Sequence, residues 1–316
     1  MRHILFIDPL EKLNYKKDSS LMLATTMQQK GMEVSLLFEK DFYVANRGEL
    51  VYQLYDFESE FDESGYYLKK FELKTARDIN LSSSDYLHMR IDPPFDTRYL
   101  KYLWMLRFLQ DKGIRIVNSP DGILKFNEKL HAYAQKSSLP SYVGSSLTMF
   151  QSFIDSQSTT DEFILKPLDL FQGFGVEKVS RKNQNIIEVF ERKILEHQGA
   201  IVVQPFNPRV REGEIRSIYF KGVELGSILK VPKSGEFLAN IAQGASFHAI
   251  KLTDALQIEC KAICLELMQD GVDWVAFDIM GDSVSEINIT CPGLLVEVSK
   301  AHQKNLALDL IQLLNS

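Results

Sequence analysis

Short hydrophobic runs near the start of the chain alternate with a helix-like segment, in a β-α-β order. Residues 3–7 and 33–38 are apolar runs that predict two short buried strands. Between them, residues 20–30 favour a helix and are followed by Gly31, a residue common just beyond a helix end. This opening predicts a parallel sheet covered by helices.

The rest of the chain predicts two further modules that mix strands and helices. The stretch 46–82 is polar and weakly patterned, so we expect variable strands and loops there. Further strands are predicted at residues 86–89, 114–117, 162–166, 175–179, 200–204, 215–220, 223–231, 273–279 and 284–289, and further helices at 97–112, 127–138, 184–197, 252–270 and 296–314. Because 316 residues exceed the usual size of one core, we expect two or three closely packed modules, the second of which begins near residue 121.

Composition narrows the class of protein. The chain is 45% hydrophobic and 25% charged with a net charge of −6, which is typical of a soluble globular protein and argues against a nucleic-acid partner. Three cysteines without a CxxC pair, Cys260, Cys264 and Cys291, fit a reducing cytoplasm, and we expect Cys260 and Cys264 to be buried thiols rather than metal ligands. The first apolar run is too short for a signal peptide or a spanning helix.

Residues 274–289 form the most informative local pattern. Two predicted strands flank a glycine-containing turn, and apolar residues occupy one face of each strand. The opposite face carries Asp278 on the first strand and Glu286 and Asn288 on the second. A hairpin centred near residue 282 places Asp278 directly across from Glu286, where like charges are destabilising unless a cation lies between them.

Two carboxylates and an amide carbonyl form an all-oxygen ligand set. Mg²⁺ and Mn²⁺ prefer oxygen ligands, whereas Zn²⁺ favours nitrogen and sulfur, and Mg²⁺ commonly bridges carboxylates to substrate phosphates. The pattern therefore predicts a Mg²⁺ or Mn²⁺ site. A solvated acidic face is the alternative that this segment alone leaves open.

A second candidate feature is Lys166 at a strand end, followed by a loop that contains Gly173 and Gly175. Such a loop allows backbone N–H groups to approach phosphates while the lysine supplies positive charge. An ordinary hairpin loop is the alternative. The chain contains neither GxxxxGK[ST] nor a GxGxxG after its first strand, which argues against a P-loop protein and a dinucleotide-dependent oxidoreductase.

The next strands supply candidates for nucleotide contacts. Gln204 precedes Pro205 and Phe206, where the prolines leave main-chain groups without ladder partners and so predict an edge that contacts adenine. Arg216 alternates with apolar residues two positions after Glu214, and an arginine on that face can meet a γ-phosphate. A plain turn and a surface cation, respectively, are the alternatives.

Six short segments extend these observations over nearly the whole chain. They are Tyr15-Lys-Lys-Asp18-Ser19-Ser20; Arg90-Ile-Asp92-Pro93-Pro94-Phe95-Asp96; Val117-Asn118 with Asn127-Glu128-Lys129-Leu130; Ile164-Leu-Lys166-Pro-Leu-Asp169; Asp278-Ile-Met-Gly-Asp; and Glu286-Ile-Asn288-Ile-Thr290. As an ordered set they resemble the ATP-grasp family, most closely the bacterial glutathione synthetases. The resemblance implies an α/β fold with an α+β ATP-grasp part: a Rossmann-like N-terminal domain (1–120), a small lobe (121–200) and a large lobe with the metal site (201–316).

The resemblance also implies an ATP-dependent carboxylate–amine ligase that works through an acyl phosphate, with γ-glutamylcysteine and glycine as substrates. It implies ATP contacts from Lys129, Lys166, Gly173, Gly175, Gln204, Pro205, Phe206 and Glu214, catalysis by Arg216, substrate contacts from Arg90, Asp92, Asn240, Pro292 and Gly293, and Mg²⁺ ligation by Asp278, Glu286 and Asn288. Such chemistry needs charge neutralisation more than an acid or base. The implied partners are ATP and small molecules, without nucleic acid or membrane, in a cytoplasmic homo-oligomer (dimer or tetramer).

Several departures from the family bear on the substrate. Leu238, Ser246 and Val296 stand where the family has arginines, and the glycine-rich loop carries Leu170 and Gln172 in place of glycines. Carboxylates prefer arginine forks, and each lost charge-assisted contact is worth roughly 1.5–3 kcal/mol. A ligase for a less acidic pair therefore remains an alternative, as does a non-catalytic ATP-binding relative.

Overall fold

The structure is a computed structural model that describes residues 1–170, 173–182, 185–236 and 238–315. Within these residues, three sheets with their covering helices form three packed units. The predicted loop residue Gln172 lies outside the described residues.

The first unit is a six-stranded sheet with helices on its faces. Its elements are β1 (Arg2–Ile7), α1 (Ser19–Gln29), β2 (Glu33–Phe38), β3 (Val51–Phe61), β4 (Leu68–Asn80), β5 (Tyr86–Arg90), α2 (Thr97–Asp111), β6 (Arg115–Val117) and α3 (Pro120–Lys125). The strand order is β4-β3-β2-β1-β5-β6, and β1 runs parallel to β2 and β5, which confirms the predicted parallel sheet. The weakly patterned stretch 46–82 forms the long antiparallel hairpin β3–β4.

The second unit is a four-stranded antiparallel sheet covered by two helices. Its elements are β7 (Tyr142–Gly144), α5 (Leu147–Ser156), β8 (Glu162–Pro167), β9 (Glu177–Ser180), α6 (Ile186–His197) and β10 (Ile201–Pro205), with strand order β7-β10-β8-β9. The short helix α4 (Glu128–Tyr133), which precedes β7 in the chain, packs against the third unit. Phe150 of α5 and Phe190 of α6 stack in its core, with ring centroids 3.9 Å apart. Because β10 pairs with β7 and β8, the second sheet extends to Pro205, beyond the boundary expected at residue 200.

The predicted helix 127–138 is too long. Asn127 caps α4 as expected, and its side chain accepts from the backbone N–H groups of Lys129 and Leu130. The helix ends at Tyr133, however, because the hydroxyl of Ser138 donates to the carbonyl oxygen of Tyr133 at 2.8 Å and the chain turns there.

The third unit is a five-stranded antiparallel sheet between helices. Its elements are β11 (Glu214–Phe220), β12 (Val223–Val231), β13 (Ser246–Ile250), α7 (Asp254–Met268), β14 (Trp274–Met280), β15 (Ser283–Asn288), α8 (Leu295–His302) and α9 (Ala307–Leu314), with strand order β13-β12-β11-β14-β15. The prediction of a single helix at 296–314 is wrong, because two separate helices, α8 and α9, occupy this stretch. Gln303 adopts a left-handed φ of 52° that ends α8, and the side chain of Asn305 accepts from the N–H of Ala307 at the start of α9.

A continuous core joins the first and third units. Residues of β1, β2 and α1 pack together with residues of β11, β12, α8 and α9. Cys260 and Cys264 are buried on α7, as predicted, and burial raises the pKa of both thiols. None of the helices in the described residues combines the length and the apolar character needed to cross a bilayer.

Candidate active site

The β14–β15 hairpin has the predicted register. Asp278 pairs directly with Glu286, and the two strands turn at Gly281 and Asp282. The register shifts after this pair, because Ser285 forms a bulge in which its hydroxyl donates to the carbonyl oxygen of Asp278 at 2.9 Å. The two carboxylates and the Asn288 amide therefore lie together at the edge of the third sheet, as expected.

Three donors surround the carboxylate of Asp278. Lys230 donates to Oδ1 at 2.8 Å, Arg216 lies 3.0 Å from Oδ2, and the Asn288 amide donates to Oδ2 at 3.0 Å. Burial alone favours the neutral acid, but Arg216 and Lys230 outweigh it and lower the pKa of Asp278. The carboxylate is therefore ionised at neutral pH, the state that a metal ligand requires.

Lys230 is a residue that the sequence predictions missed. Its ammonium bridges Asp278 and Glu214, with an Nζ–Oε2 distance of 2.7 Å to the latter. Burial opposes its charge, yet these two carboxylates raise the pKa of Lys230. A regular hairpin of the predicted strands 215–220 and 223–231 places Leu229 opposite Glu214. A register shift between Ile218 and Tyr219 brings Lys230 there instead, so the strand pattern alone does not indicate this pairing.

Glu286 is paired with the first predicted nucleotide lysine. Lys129 lies 2.9 Å from Oε1 of Glu286, and its Nζ also donates to the carbonyl oxygen of Leu170 at 2.7 Å. Next to it, Oε1 of Glu128 accepts hydrogen bonds from the N–H groups of Ile289 and Thr290 at 2.7 and 2.9 Å. These contacts fix the start of α4 against the strand end that carries the candidate metal ligands.

The ligand set at the hairpin fits a hard cation. Asp278, Glu286 and Asn288 offer carboxylate and amide oxygens and no sulfur or imidazole nitrogen. The described part of the chain has no group of three or more His, Cys, Asp or Glu side chains placed to hold a metal ion, so this set depends on the amide as its third donor. It therefore suits Mg²⁺ or Mn²⁺ rather than Zn²⁺.

Lys166 is a cation without an ion-pair partner among the described residues. It lies on β8 with its Nζ 5.7 Å from the centre of the Tyr133 ring. Burial lowers the pKa of Lys166, and the negative charges of Glu286 and Glu214 oppose this effect. A phosphate group is a suitable partner for a lysine in this environment.

The two loop glycines differ in position. Both have left-handed φ values, 80° at Gly173 and 70° at Gly175. Gly173 faces the cleft described below, and a Cβ there would lie 3.1 Å from the side chain of Leu238. Gly175 instead packs against Pro167 and His197, away from the cleft.

The segment predicted to contact adenine does form main-chain pairs, contrary to the expectation from its prolines. The N–H of Phe206 donates to the carbonyl oxygen of Glu162 at 2.8 Å, and Pro205 is in register with Phe163, so the ladder does not stop before these positions. The side chain of Gln204 is buried and donates to the hydroxyl of Ser141 at 2.8 Å. All three predicted residues, 204 to 206, nevertheless line the cleft.

Arg90 joins the first and third units. Its Nε donates to the hydroxyl of Ser20 at 3.0 Å, its Nη2 donates to the carbonyl oxygen of Pro292 at 2.9 Å, and its guanidinium lies 4.1 Å above the Trp274 ring. These contacts position the guanidinium within the protein. Asp92, by contrast, is exposed at the cleft, and its N–H donates to Oδ2 of Asp8.

One cleft of about 710 Å³ brings the predicted residues together. Fifteen of the seventeen predicted site residues line it, and only Gly175 and the buried Pro292 do not. The cleft lies where the three units meet, and Lys230, Glu128, Asp18 and Glu297, which had no predicted role, also line it.

The three positions that lack arginine have different environments. Leu238 lines the cleft together with Ala239, Ile241 and Ala242, so this side of the cleft is largely apolar. Ser246 is exposed on β13, and Val296 is buried in the core of the third unit. Of the three positions at which the family has arginine, only residue 238 therefore lines the cleft, so only this replacement alters the cleft surface.

Both halves of the chain match models of known protein families. Residues 1–123 match the model of the prokaryotic glutathione synthetase N-terminal domain, and residues 128–303 match that of the prokaryotic glutathione synthetase ATP-grasp domain. A glutathione synthetase of Vibrio parahaemolyticus is 29% identical over 93% of this chain and 92% of its own length. One from Prochlorococcus marinus is 28% identical over 99% of this chain and 98% of its own length.

Solved structures show the same fold. D-cycloserine synthetase DcsG aligns with a TM-score of 0.68 at 15% identity, over 98% of this chain and 99% of its own. The ATP-grasp ligase PsnB, complexed with a variant precursor, Mg and ADP, aligns with a TM-score of 0.60 at 12% identity, over 100% of this chain and 98% of its own. The predicted α/β architecture with an ATP-grasp part is thereby confirmed.

Proposed function

The chain belongs to the prokaryotic glutathione synthetase family, and from this membership we propose that it joins γ-glutamylcysteine to glycine with conversion of ATP to ADP and phosphate. It is an ATP-dependent ligase of the ATP-grasp type. The observation that carries the proposal is the cleft, in which the lysines, the arginine and the acidic hairpin expected for phosphoryl transfer surround one space.

In the proposed reaction, Lys129 and Lys166 bind the phosphates of ATP. An oxygen of the substrate carboxylate attacks the γ-phosphorus, and the bond from that phosphorus to the oxygen of ADP breaks to give an acyl phosphate. Arg216 neutralises the charge that develops on the transferring group. The amine then attacks the acyl carbon, inorganic phosphate leaves with the bonding electrons, and the amine loses its proton to yield the amide.

The proposed metal ligands are Asp278, Glu286 and Asn288. Mg²⁺ held there would neutralise phosphate charge and act as a Lewis acid on the phosphoryl oxygens. Lys230 and Arg216 keep Asp278 ionised, and Lys129 lies against Glu286, so cations already face both carboxylates before ATP arrives.

A ligase for a less acidic substrate pair is a second candidate, and Leu238 favours it. A leucine and its apolar neighbours offer no charge-assisted contact to a substrate carboxylate on that side of the cleft. A substrate that presents an amide or an apolar group there would fit this surface better than a carboxylate.

Turnover assays separate the two candidates. The purified protein is incubated with Mg-ATP and either γ-glutamylcysteine plus glycine or pools of other amino acids and dipeptides, while phosphate release and new amide masses are followed. Phosphate release and a glutathione mass with the first pair support the leading proposal. Turnover only with other pairs supports the second candidate, and ATP binding without any turnover contradicts both.

The proposal extends by family analogy to assembly and location. We propose that the enzyme is a homo-oligomer, a dimer or tetramer, in the cytoplasm. Sedimentation-equilibrium mass at micromolar concentration tests the assembly, and a mass equal to one chain contradicts it.

A further inference from the structure

Glu297 is a buried acid that makes few contacts. It lies in the first turn of α8, it lines the cleft, and the residue is 6% exposed. Among the described residues, its Oε2 has no hydrogen-bond partner. Burial raises the pKa of Glu297. A carboxylate in such a place normally has a bonded partner, because an unpaired buried charge is costly.

A second acid lines the same part of the cleft. Asp18 caps α1, with Oδ1 accepting from the N–H of Leu21 at 2.8 Å. Burial raises the pKa of Asp18 to about 6. The N–H of Leu295, at the start of α8, donates to the hydroxyl of Ser19 at 3.0 Å, so the helix starts that carry Asp18 and Glu297 lie side by side. After burial, the charge of Asp18 is among the causes that raise the pKa of Glu297.

The nearby cations do not pair with these two acids. Arg216 is held by Asp278 at 3.0 Å, and Arg90 donates to Ser20 and Pro292. Lys17 attracts Glu297 electrostatically, but it is exposed and forms no ion pair with it in the described structure. In the part of the chain that the structure describes, neither acid therefore forms an ion pair with a cation.

We propose that Asp18 and Glu297 form a subsite that binds the primary ammonium group of an amino-acid substrate. This inference rests on the proposed function and adds to it the way in which the site recognises a substrate amine. The ammonium supplies a donor to Oε2 of Glu297, which otherwise lacks one, and a further donor to the carboxylate of Asp18. Its source is either the α-ammonium of the carboxylate-bearing substrate or the amine that attacks the acyl phosphate.

Calorimetric titration tests the subsite without requiring turnover. Three ligands are titrated in the presence of Mg²⁺ and a non-hydrolysable ATP analogue: γ-glutamylcysteine, glutarylcysteine, which lacks the α-ammonium, and glycine. In Glu297→Gln, we expect the Kd of at least one ammonium-bearing ligand to rise roughly ten- to hundredfold, with that of glutarylcysteine unchanged. Glu191→Gln, the same change on the exposed face of α6, is the matched control and should bind like the wild type.

The ligands distinguish the two sources of ammonium. Weaker binding of γ-glutamylcysteine alone assigns the subsite to the carboxylate-bearing substrate, and weaker binding of glycine alone assigns it to the attacking amine. Asp18→Asn gives a second, independent test, because an asparagine oxygen can still cap α1. If both variants bind all ammonium ligands as the wild type does, the subsite does not exist.

Failure of the proposed function gives a different result. If the wild type binds none of the three ligands, that substrate pair is wrong, and the same titrations with a panel of amino acids and dipeptides decide the subsite. If ligand binding weakens in the variants but the wild type shows no turnover with any substrate, the proposed reaction is overturned and the subsite is supported. A wild type that binds no ammonium-bearing ligand, either among the first three or in the panel, overturns the subsite.

Discussion

The ammonium of Lys230 lies 2.8 Å from Oδ1 of Asp278, although β11 separates their strands in the sheet. Arg216 stands on that intervening strand, directly in register with Asp278. The aspartate thus accepts from two cations while it faces Glu286 on the other side. This arrangement stabilises two neighbouring carboxylates before any metal or nucleotide binds, and it makes Lys230 as important to the proposed site as the residues predicted from the sequence.

Lys230→Met should impair both stability and turnover. The substitution leaves Asp278 and Glu214 buried without their shared cation, and breaking a buried ion pair in this way costs about 3–5 kcal/mol in the free energy of unfolding. We also expect kcat to fall about a hundredfold or more, because the charge near the transferring phosphoryl group changes. Urea denaturation and steady-state phosphate release measure the two effects.

Lys304→Met is the control for this variant. Lys304 is exposed and pairs with the partly buried Asp309 at the surface, so the free energy of unfolding should change by less than about 1 kcal/mol. Equal stability losses in the two lysine variants would contradict the assigned role of Lys230.

Asp278→Asn combined with Glu286→Gln should abolish turnover. Both substitutions remove an anionic oxygen ligand from the hairpin, and we expect phosphate release to fall at least about a thousandfold at saturating Mg-ATP. Asp282→Asn is the matched control, because it lies in the turn of the same hairpin with its side chain 76% exposed. A fully active double variant would show that the metal lies elsewhere.

Positions 238, 246 and 296 lack the arginines of the family, and introducing arginine should have a different effect at each of them. Leu238→Arg adds a cation to the cleft and should lower the KM for an acidic dipeptide about tenfold. Ser246→Arg, at an exposed position outside the cleft, should leave KM unchanged. Val296→Arg should destabilise the protein by about 3 kcal/mol or more, because it places an unpaired charge in the core.

Kinetics and thermal denaturation of these three variants test the assignment of the positions. An active, stable Val296→Arg with an improved KM would mean that residue 296 faces the substrate and not the core.

The buried histidine pair should make folding sensitive to acid. Nδ1 of His3 lies 3.0 Å from Nε2 of His88, and burial lowers the pKa of both, that of His3 to about 4. An unfolded histidine titrates near 6.5, so below about pH 6.5 the unfolded state binds more protons, and stability is lost as pH falls toward 4. For His3 the expected loss at pH 5 is about 2 kcal/mol relative to pH 7.5.

Urea denaturation of the wild type and of His3→Gln at pH 7.5 and pH 5 isolates this contribution. The difference in unfolding free energy between the two pH values should be smaller in the variant by about the same amount. Acidic groups with raised pKa values, such as Asp18, act in the opposite direction and are common to both proteins, so the comparison cancels them. An identical pH dependence in both would contradict the prediction.

Features that depend on neighbours in the chain could be predicted from the sequence. The placement of Asp278, Glu286 and Asn288 on one face of the hairpin follows from strand alternation, and the cap at Asn127 follows from a side chain that bonds the next residues. The residues in such contacts are close to each other along the chain, so local backbone geometry allows few other arrangements. Lys230 opposite Glu214 was not predictable in this way, because a register shift between Ile218 and Tyr219 moves the pairing one residue away from that of a regular hairpin.

The break between α8 and α9 and the burial of Val296 depend instead on how the elements pack. The sequence identified residue 296 as the position of a lost arginine, but the direction of its side chain depends on the rotation of α8 against the first unit. The same holds for Glu128 and Thr290, which are 162 positions apart in the chain and hydrogen-bond in the structure.

The sequence by itself therefore determined the family resemblance and the carboxylate hairpin, and it predicted a set of cations that bind phosphate. Only the tertiary structure decided which of these side chains share one cleft, that Lys230 balances Asp278, and that Asp18 and Glu297 line the cleft without an ion-pair partner among the described residues. The physical reason is that charges interact over a few ångströms, and the packing of three units brings together residues that the chain itself keeps far apart.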